Sequence, residues 1–203
     1  MLKIHTLTKV ESFLSNCYLI ESKGEWAVID PSIDYLETIR SYPELQGRLK
    51  FILLTHAHFD HIYAINSWLC EHATVMVGAD DAAALSDARV NCFLGFLGID
   101  DGYYGEYHAL SDGDTLTLGD VSIEVISTPG HTQGSVCYKI GTDIFVGDTI
   151  FANGGYGRCD LPGGDPVSIA NSIFKLFAMV LVGRFYPGHG PSESINDSIK
   201  YFI

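Results

Sequence analysis

Seven residues constrain this chain more than any other stretch: Thr55-His56-Ala57-His58-Phe59-Asp60-His61. Four metal-ligating side chains fall within six positions, directly after the short apolar run 50–54. That run predicts a buried strand. In an extended loop His56 and His58 project to the same side of the backbone, which brings two imidazoles to one ion. His61 falls where the next helix is expected to begin, so its direction differs, and Asp60 and His61 can face a second ion. A lone histidine is more often packed or solvated than a ligand. Four candidate ligands in one short loop invert that balance.

Three further segments place a ligand type beside glycine just past an expected strand. They are Thr128-Pro129-Gly130-His131-Thr132 after 121–127, Val146-Gly147-Asp148-Thr149 after 143–146, and Pro187-Gly188-His189-Gly190 after 184–186. Further strands are expected at 17–21, 26–30, 74–77, 115–118 and 135–140. Helices are expected at 32–42, with Ser32 as its cap and Ile33, Leu36 and Ile39 on one face, and at 62–71, 80–86 and 168–177. Strands and helices interleave twice, with hairpins between. This order predicts an α+β chain, two sheets packed together with helices outside in an αββα sandwich, as one domain over 1–203. Residues 90–108 combine five aromatics with four glycines. Two readings stand there: a lid or binding loop, and a loop packed on the core.

The chain has 203 residues and a formal net charge of −13. So acidic a surface disfavours nucleic acid and anionic membranes as partners and leaves a small molecule as the expected one. Cys17, Cys70, Cys92, Cys137 and Cys159 are odd in number and form no CxxC pair, which favours a reducing, cytoplasmic setting. The first twenty residues lack the apolar core of a signal peptide.

THAHFDH, PGHT, GDT and PGHG, in this order, resemble the metallo-β-lactamase superfamily of dinuclear metal hydrolases. The segment GDTIFANGGYGRCDLPGGD (147–165) is similar to the small glyoxalase II-like hydrolases. The resemblance implies an αββα fold and two divalent metal ions. His56, His58 and His131 would bind the first ion, Asp60, His61 and His189 the second, and Asp148 would bridge both. Zinc is the default for such ligands, and the set also suits iron or manganese. The implied activity is thioester hydrolysis by a hydroxide shared between the ions, with Asp60 as the catalytic residue that orients it. Rival readings are a lactonase or other ester hydrolase, and a mono-iron persulfide dioxygenase. Asp148 stands where common β-lactamases carry Cys, and His58 where flavodiiron proteins carry Glu. Asp30 and Thr55 are expected to support ligand histidines. Arg158, Tyr103 and Tyr104 are the candidate substrate contacts. Arg158 has a second reading, an ion pair with Asp160.

Overall fold

The computed structural model describes residues 2–9, 13–180 and 182–202. The first sheet holds β1 (Lys3–Leu7), β2 (Cys17–Ser22), β3 (Glu25–Ile29), β4 (Leu49–Leu53), β5 (Thr74–Gly78) and β6 (His108–Leu110), side by side in that order. The second holds β7 (Thr115–Leu118), β8 (Val121–Ser127), β9 (Val136–Ile140), β10 (Asp143–Gly147), β11 (Arg184–Pro187) and β12 (Glu193–Ser194), again in chain order. β3 through β6 run parallel, as do β10 and β11; the remaining neighbours are antiparallel.

The sheets face each other. Tyr18, Ile20, Ile29 and Leu53 of the first pack with Val125, Val136, Tyr138 and Phe145 of the second. The alternate residues of the same strands point outward. Cys17, Leu19, Val28 and Ile52 meet Tyr35, Ile62 and Trp68. Ile126, Ile144 and Val146 meet Ile169, Ile173, Leu176 and Phe177. Central strands are thus covered on both faces, which is why they read as continuous apolar runs. The αββα sandwich expected from element order is the observed architecture.

Among the described residues five helices complete it: α1 (Tyr35–Ser41), α2 (Phe59–Ile62), α3 (Phe93–Leu97), α4 (Pro166–Met179) and α5 (Ile195–Ser198). α4 is the crossover that lets β11 pair in parallel with β10. Asp165 caps it by accepting from the Val167 N–H, and Pro166 takes the first turn, where no donor is needed.

Several local expectations need correction. α1 begins at Tyr35 and not at Ser32, because Asp34 accepts from the Leu36 and Glu37 N–H groups. Ser32 instead donates its hydroxyl to the Ser15 carbonyl. The later start leaves Leu36 61% exposed, off the buried face assigned to it. The helix expected over 62–71 is a single turn, α2, followed by a 3-10 segment at Ile65–Glu71. Ser67 bonds the Ala64 carbonyl through its hydroxyl, and the Trp68 indole donates to the Ile33 carbonyl. The local Ser67 bond competes with regular helix, and the Trp68 bond fixes the segment against the chain before α1. The helix expected over 80–86 is likewise 3-10. No helix among the described residues is long and apolar enough to cross a membrane.

Candidate metal centre

The ligand types gather where the two sheets meet at one end. The loop after β4 carries His56 and His58, and α2 carries Asp60 and His61. The loops after β8, β10 and β11 carry His131, Asp148 and His189. Three overlapping sets have their donor atoms within 4.8 Å of one another: His56, His58 and His131; His56, His61 and Asp148; Asp60, His61 and His189. All seven expected residues are therefore brought together. His56 also reaches the His61–Asp148 pair, a proximity that the sequence does not reveal.

Hydrogen bonds assign the imidazole tautomers. Thr55 donates its hydroxyl proton to Asp30 Oδ2 at 2.7 Å, so its oxygen accepts from His56 Nδ1 at 3.1 Å. His61 Nδ1 donates to Asp30 Oδ2 at 2.8 Å. His131 Nδ1 donates to the Arg158 carbonyl at 2.7 Å. In each ring the outward nitrogen holds a proton, which leaves Nε2 as the atom that can ligate. An outer partner that fixes tautomer and ring direction is the usual companion of a metal-binding histidine. Among the described residues His58 has no such outer partner; its Nδ1 lies 2.8 Å from His131 Nε2.

This donor set fits a cation. His56 Nε2, His58 Nε2, His61 Nε2 and Asp148 Oδ1 are buried with no hydrogen-bond partner among the described residues. Asp148 Oδ1 and His61 Nε2 approach to 3.2 Å, but not in hydrogen-bonding geometry. A buried polar atom left unmatched costs about 1–3 kcal/mol. Four in one cluster are a deficit that bound ions would remove. Burial and the neighbouring imidazoles hold His56 well below the ordinary histidine range, and burial takes His58 down to about 3. Both are therefore neutral and able to ligate. Burial opposes charge on His61, but Asp30, Asp148 and Asp60 hold it well above the ordinary histidine range; its charge foremost holds Asp148 and Asp60 below the usual carboxylate range against their own burial, so His61 must release its Nε2 proton when it ligates.

Asp30 and Thr55 stand where they were expected, beneath His56 and His61. Asp30 is 1% exposed, and its two oxygens accept from the Thr55 N–H, the Thr55 hydroxyl and His61. A residue that sequence reasoning missed does the matching work on the other side. Buried Asp81 accepts from the Ala57 N–H at 3.0 Å, the Gly134 N–H at 2.8 Å and the Thr132 hydroxyl at 2.8 Å. It ties the loop of His56 and His58 to the loop of His131. Only its place beside a strand end hinted at this.

The glycines next to the ligands allow close approach. A Cβ on Gly188 would stand 2.1 Å from Asp148 Oδ1 and 2.6 Å from His61 Cε1. Gly188→Ala is therefore expected to lower kcat/KM roughly a hundredfold through misplacement of these side chains. Steady-state kinetics with metal analysis checks this, and kcat/KM within twofold of the parent refutes it.

A cavity of about 390 Å³ opens over the cluster. His58, Asp60, His131, Asp148 and His189 contribute to its lining, and Phe59, Phe96, Phe151, Tyr156 and Leu161 supply apolar wall. Arg158 lines it too, but both oxygens of Asp160 hold the guanidinium at 2.6 Å. The structure does not bring Tyr103 or Tyr104 to this cavity. Tyr103 is buried, donating its N–H to the Leu85 carbonyl and its hydroxyl to the Glu106 carbonyl. Tyr104 is 69% exposed. From segment 90–108 it is Cys92 and Phe96 that reach the lining. Buried Asn91 anchors the base of this segment to Phe59, Leu85 and Asp101.

Two facing sheets with a histidine–aspartate cluster at their shared end define a metal-dependent hydrolase. The chain belongs to the metallo-β-lactamase superfamily, whose family model matches residues 11–189. It is 30% identical over 206 residues to a probable polyketide biosynthesis zinc-dependent hydrolase, PksB, of Bacillus subtilis strain 168. That match covers 98% of this chain and 83% of the relative. It is also 30% identical over 188 residues to a probable metallo-hydrolase of the same organism, YqgX, covering 89% of this chain and 87% of the relative. Among solved structures it is similar to the BLEG-1 B3 metallo-β-lactamase, with TM-score 0.85 and 29% identity over 98% of this chain and 97% of that one. It is also similar to TTHA1623 in a di-iron-bound form, with TM-score 0.79 and 28% identity over 97% and 96%.

Proposed function

We propose that this chain hydrolyses thioesters with two divalent ions, zinc foremost. The observation that carries the reading is the set of buried, unpartnered donor atoms on His56, His58, His61 and Asp148. His56, His58 and His131 would hold one ion, Asp60, His61 and His189 the other, with Asp148 between them. PksB is named as zinc-dependent and TTHA1623 has a di-iron-bound form, and both support a divalent centre. Ions bound there supply Lewis acidity, which polarises a carbonyl oxygen and acidifies water.

The chain's own residues do the rest. Asp60 faces the cavity, accepts a hydrogen bond from the attacking water and fixes its line of approach. Asp30 keeps His61 Nδ1 protonated, and the Arg158 carbonyl does the same for His131. The apolar wall excludes bulk water from the reacting carbonyl. A C–O bond forms, the C–S bond breaks, and one water is consumed to give a carboxylic acid and a thiol. A thiol of pKa about 8.5 leaves without a strong acid beside it, in keeping with a lining that holds no lysine.

The test pairs metal analysis with a panel of thioesters, esters and lactones. His58→Ala is expected to lose bound metal and to lower thioester turnover at least about a hundredfold, since Lewis-acid stabilisation is worth several kcal/mol. Unchanged turnover, or a parent enzyme that cleaves lactones and ignores thioesters, overturns the reading.

A further inference from the structure

The walls of the cavity differ from its floor. The floor carries the ligand histidines and carboxylates. The sides and mouth are aromatic. Phe96 stacks on Phe59 with centroids 5.3 Å apart, and Phe13 leans on Phe59 at 5.6 Å. Phe151 sits edge-on to His189 at 5.9 Å. Phe59 is buried, whereas Phe13, Phe96 and Tyr156 are 54%, 53% and 53% exposed. Three large rings left half in water around one opening form an apolar surface that a ligand would cover.

Charge says what that ligand lacks. Among the described residues the only lysine or arginine in the lining is Arg158, and Asp160 grips its guanidinium through two bonds. The chain as a whole carries −13. A substrate held mainly by carboxylates or phosphates finds no free cationic side chain on this wall. The scissile carbonyl must reach the floor, so whatever covers the rings is joined directly to it. Common thiol carriers are polar or anionic, so the apolar part is the acyl group.

We propose that the substrate is a thioester of an apolar, chain-like acyl group. Its hydrocarbon lies along Phe59 and Phe96, and its polar thiol portion points to solvent. The inference rests on the thioesterase reading above and names the substrate class of that same site. Burying each added methylene against the rings is expected to raise kcat/KM about two- to fourfold until the wall is filled.

The experiment uses the metal-loaded full chain and N-acetylcysteamine thioesters from acetyl to decanoyl. A parallel series keeps the acetyl group and lengthens an alkyl thiol. A third series, ketones with methylene in place of sulfur, is not hydrolysed and reports binding by calorimetry. The expected result is a rise with acyl length in both turnover and ketone affinity, a flat response to thiol length, and a reduced acyl slope in Phe96→Ala. Phe96 is half-exposed, so its truncation leaves the core intact. Thioester turnover indifferent to acyl length overturns the inference and leaves the thioesterase reading standing. A slope on the thiol side, or an acyl slope unchanged in Phe96→Ala, also overturns it. Ketone affinity that grows with chain length while no thioester is cleaved upholds the wall as an apolar-chain site and overturns the hydrolytic reading.

Discussion

Asp148→Asn is expected to lower kcat/KM roughly a thousandfold and to reduce the metal bound per chain. Among the described residues Asp148 is the one carboxylate within 4 Å of three histidines. Its Oδ1 lies 3.2 Å from His61 Nε2, and its Oδ2 lies 3.5 Å from His131 Nε2 and 3.7 Å from His189 Nε2. Both oxygens are thus committed toward the space between the proposed ion sites. Asparagine preserves the volume but keeps one acceptor oxygen and no charge. Loss of several kcal/mol of charge stabilisation, at about 1.36 kcal/mol per decade, gives the expected size. The backbone remains supported, because the Asp148 carbonyl still accepts the Gly157 N–H at 2.8 Å. Circular dichroism should therefore be unchanged while metal analysis and turnover collapse. Parental turnover with a full metal complement would sink the role assigned to this residue.

The ligands were legible because each follows the end of a strand, directly or across one short loop and helical turn, and the strands advertise themselves. A strand buried on both faces, such as β4 or β10, is an apolar run in sequence. β1 and β6 lie at the edges of their sheet and are only partly buried, so they carry no such run. Asp81 was invisible for another reason. Its partners are 24 and 53 residues away at Ala57 and Gly134, and its neighbours Ala79–Ser86 look like an ordinary helix. Nothing local distinguishes it from solvent-facing Asp80. The start of α1 could not be read because Ser32 and Asp34 are both good caps. The Ser15 carbonyl, seventeen residues from Ser32, decides between them. Glycine beside His131, Asp148 and His189 was visible, but its purpose was not. At Gly188 the reason is a carboxylate of another loop within 2.1 Å of the missing Cβ.

Asp30 sets the proton position of His61 through hydrogen bonds alone. Its backbone sits at φ +52°, a left-handed conformation that Asp and Asn tolerate better than most residues. Asp30→Asn therefore keeps the turn. It does not keep the bonding. The Thr55 N–H points at Oδ1 and cannot change, so the asparagine oxygen must stay there. The amide NH2 then faces the Thr55 hydroxyl and His61 Nδ1, both of which were donors to Oδ2. The hydroxyl can rotate to accept. His61 can accept only by moving its proton to Nε2, the atom that faces Asp148 and the proposed metal. The variant thus turns a ligand lone pair into an N–H without touching the ligand. Loss of such an outer partner typically lowers activity or metal affinity about 10–100-fold, and a forced tautomer places the expected loss at about a hundredfold. Nitrogen NMR of labelled histidine reads the proton position directly. Asp30→Ala makes the contrast: it strands three buried donors at about 1–3 kcal/mol each, so it should lower Tm where Asp30→Asn mainly lowers turnover. A protonated His61 Nδ1 and near-parental kcat/KM in Asp30→Asn would show that the orientation of His61 is set elsewhere.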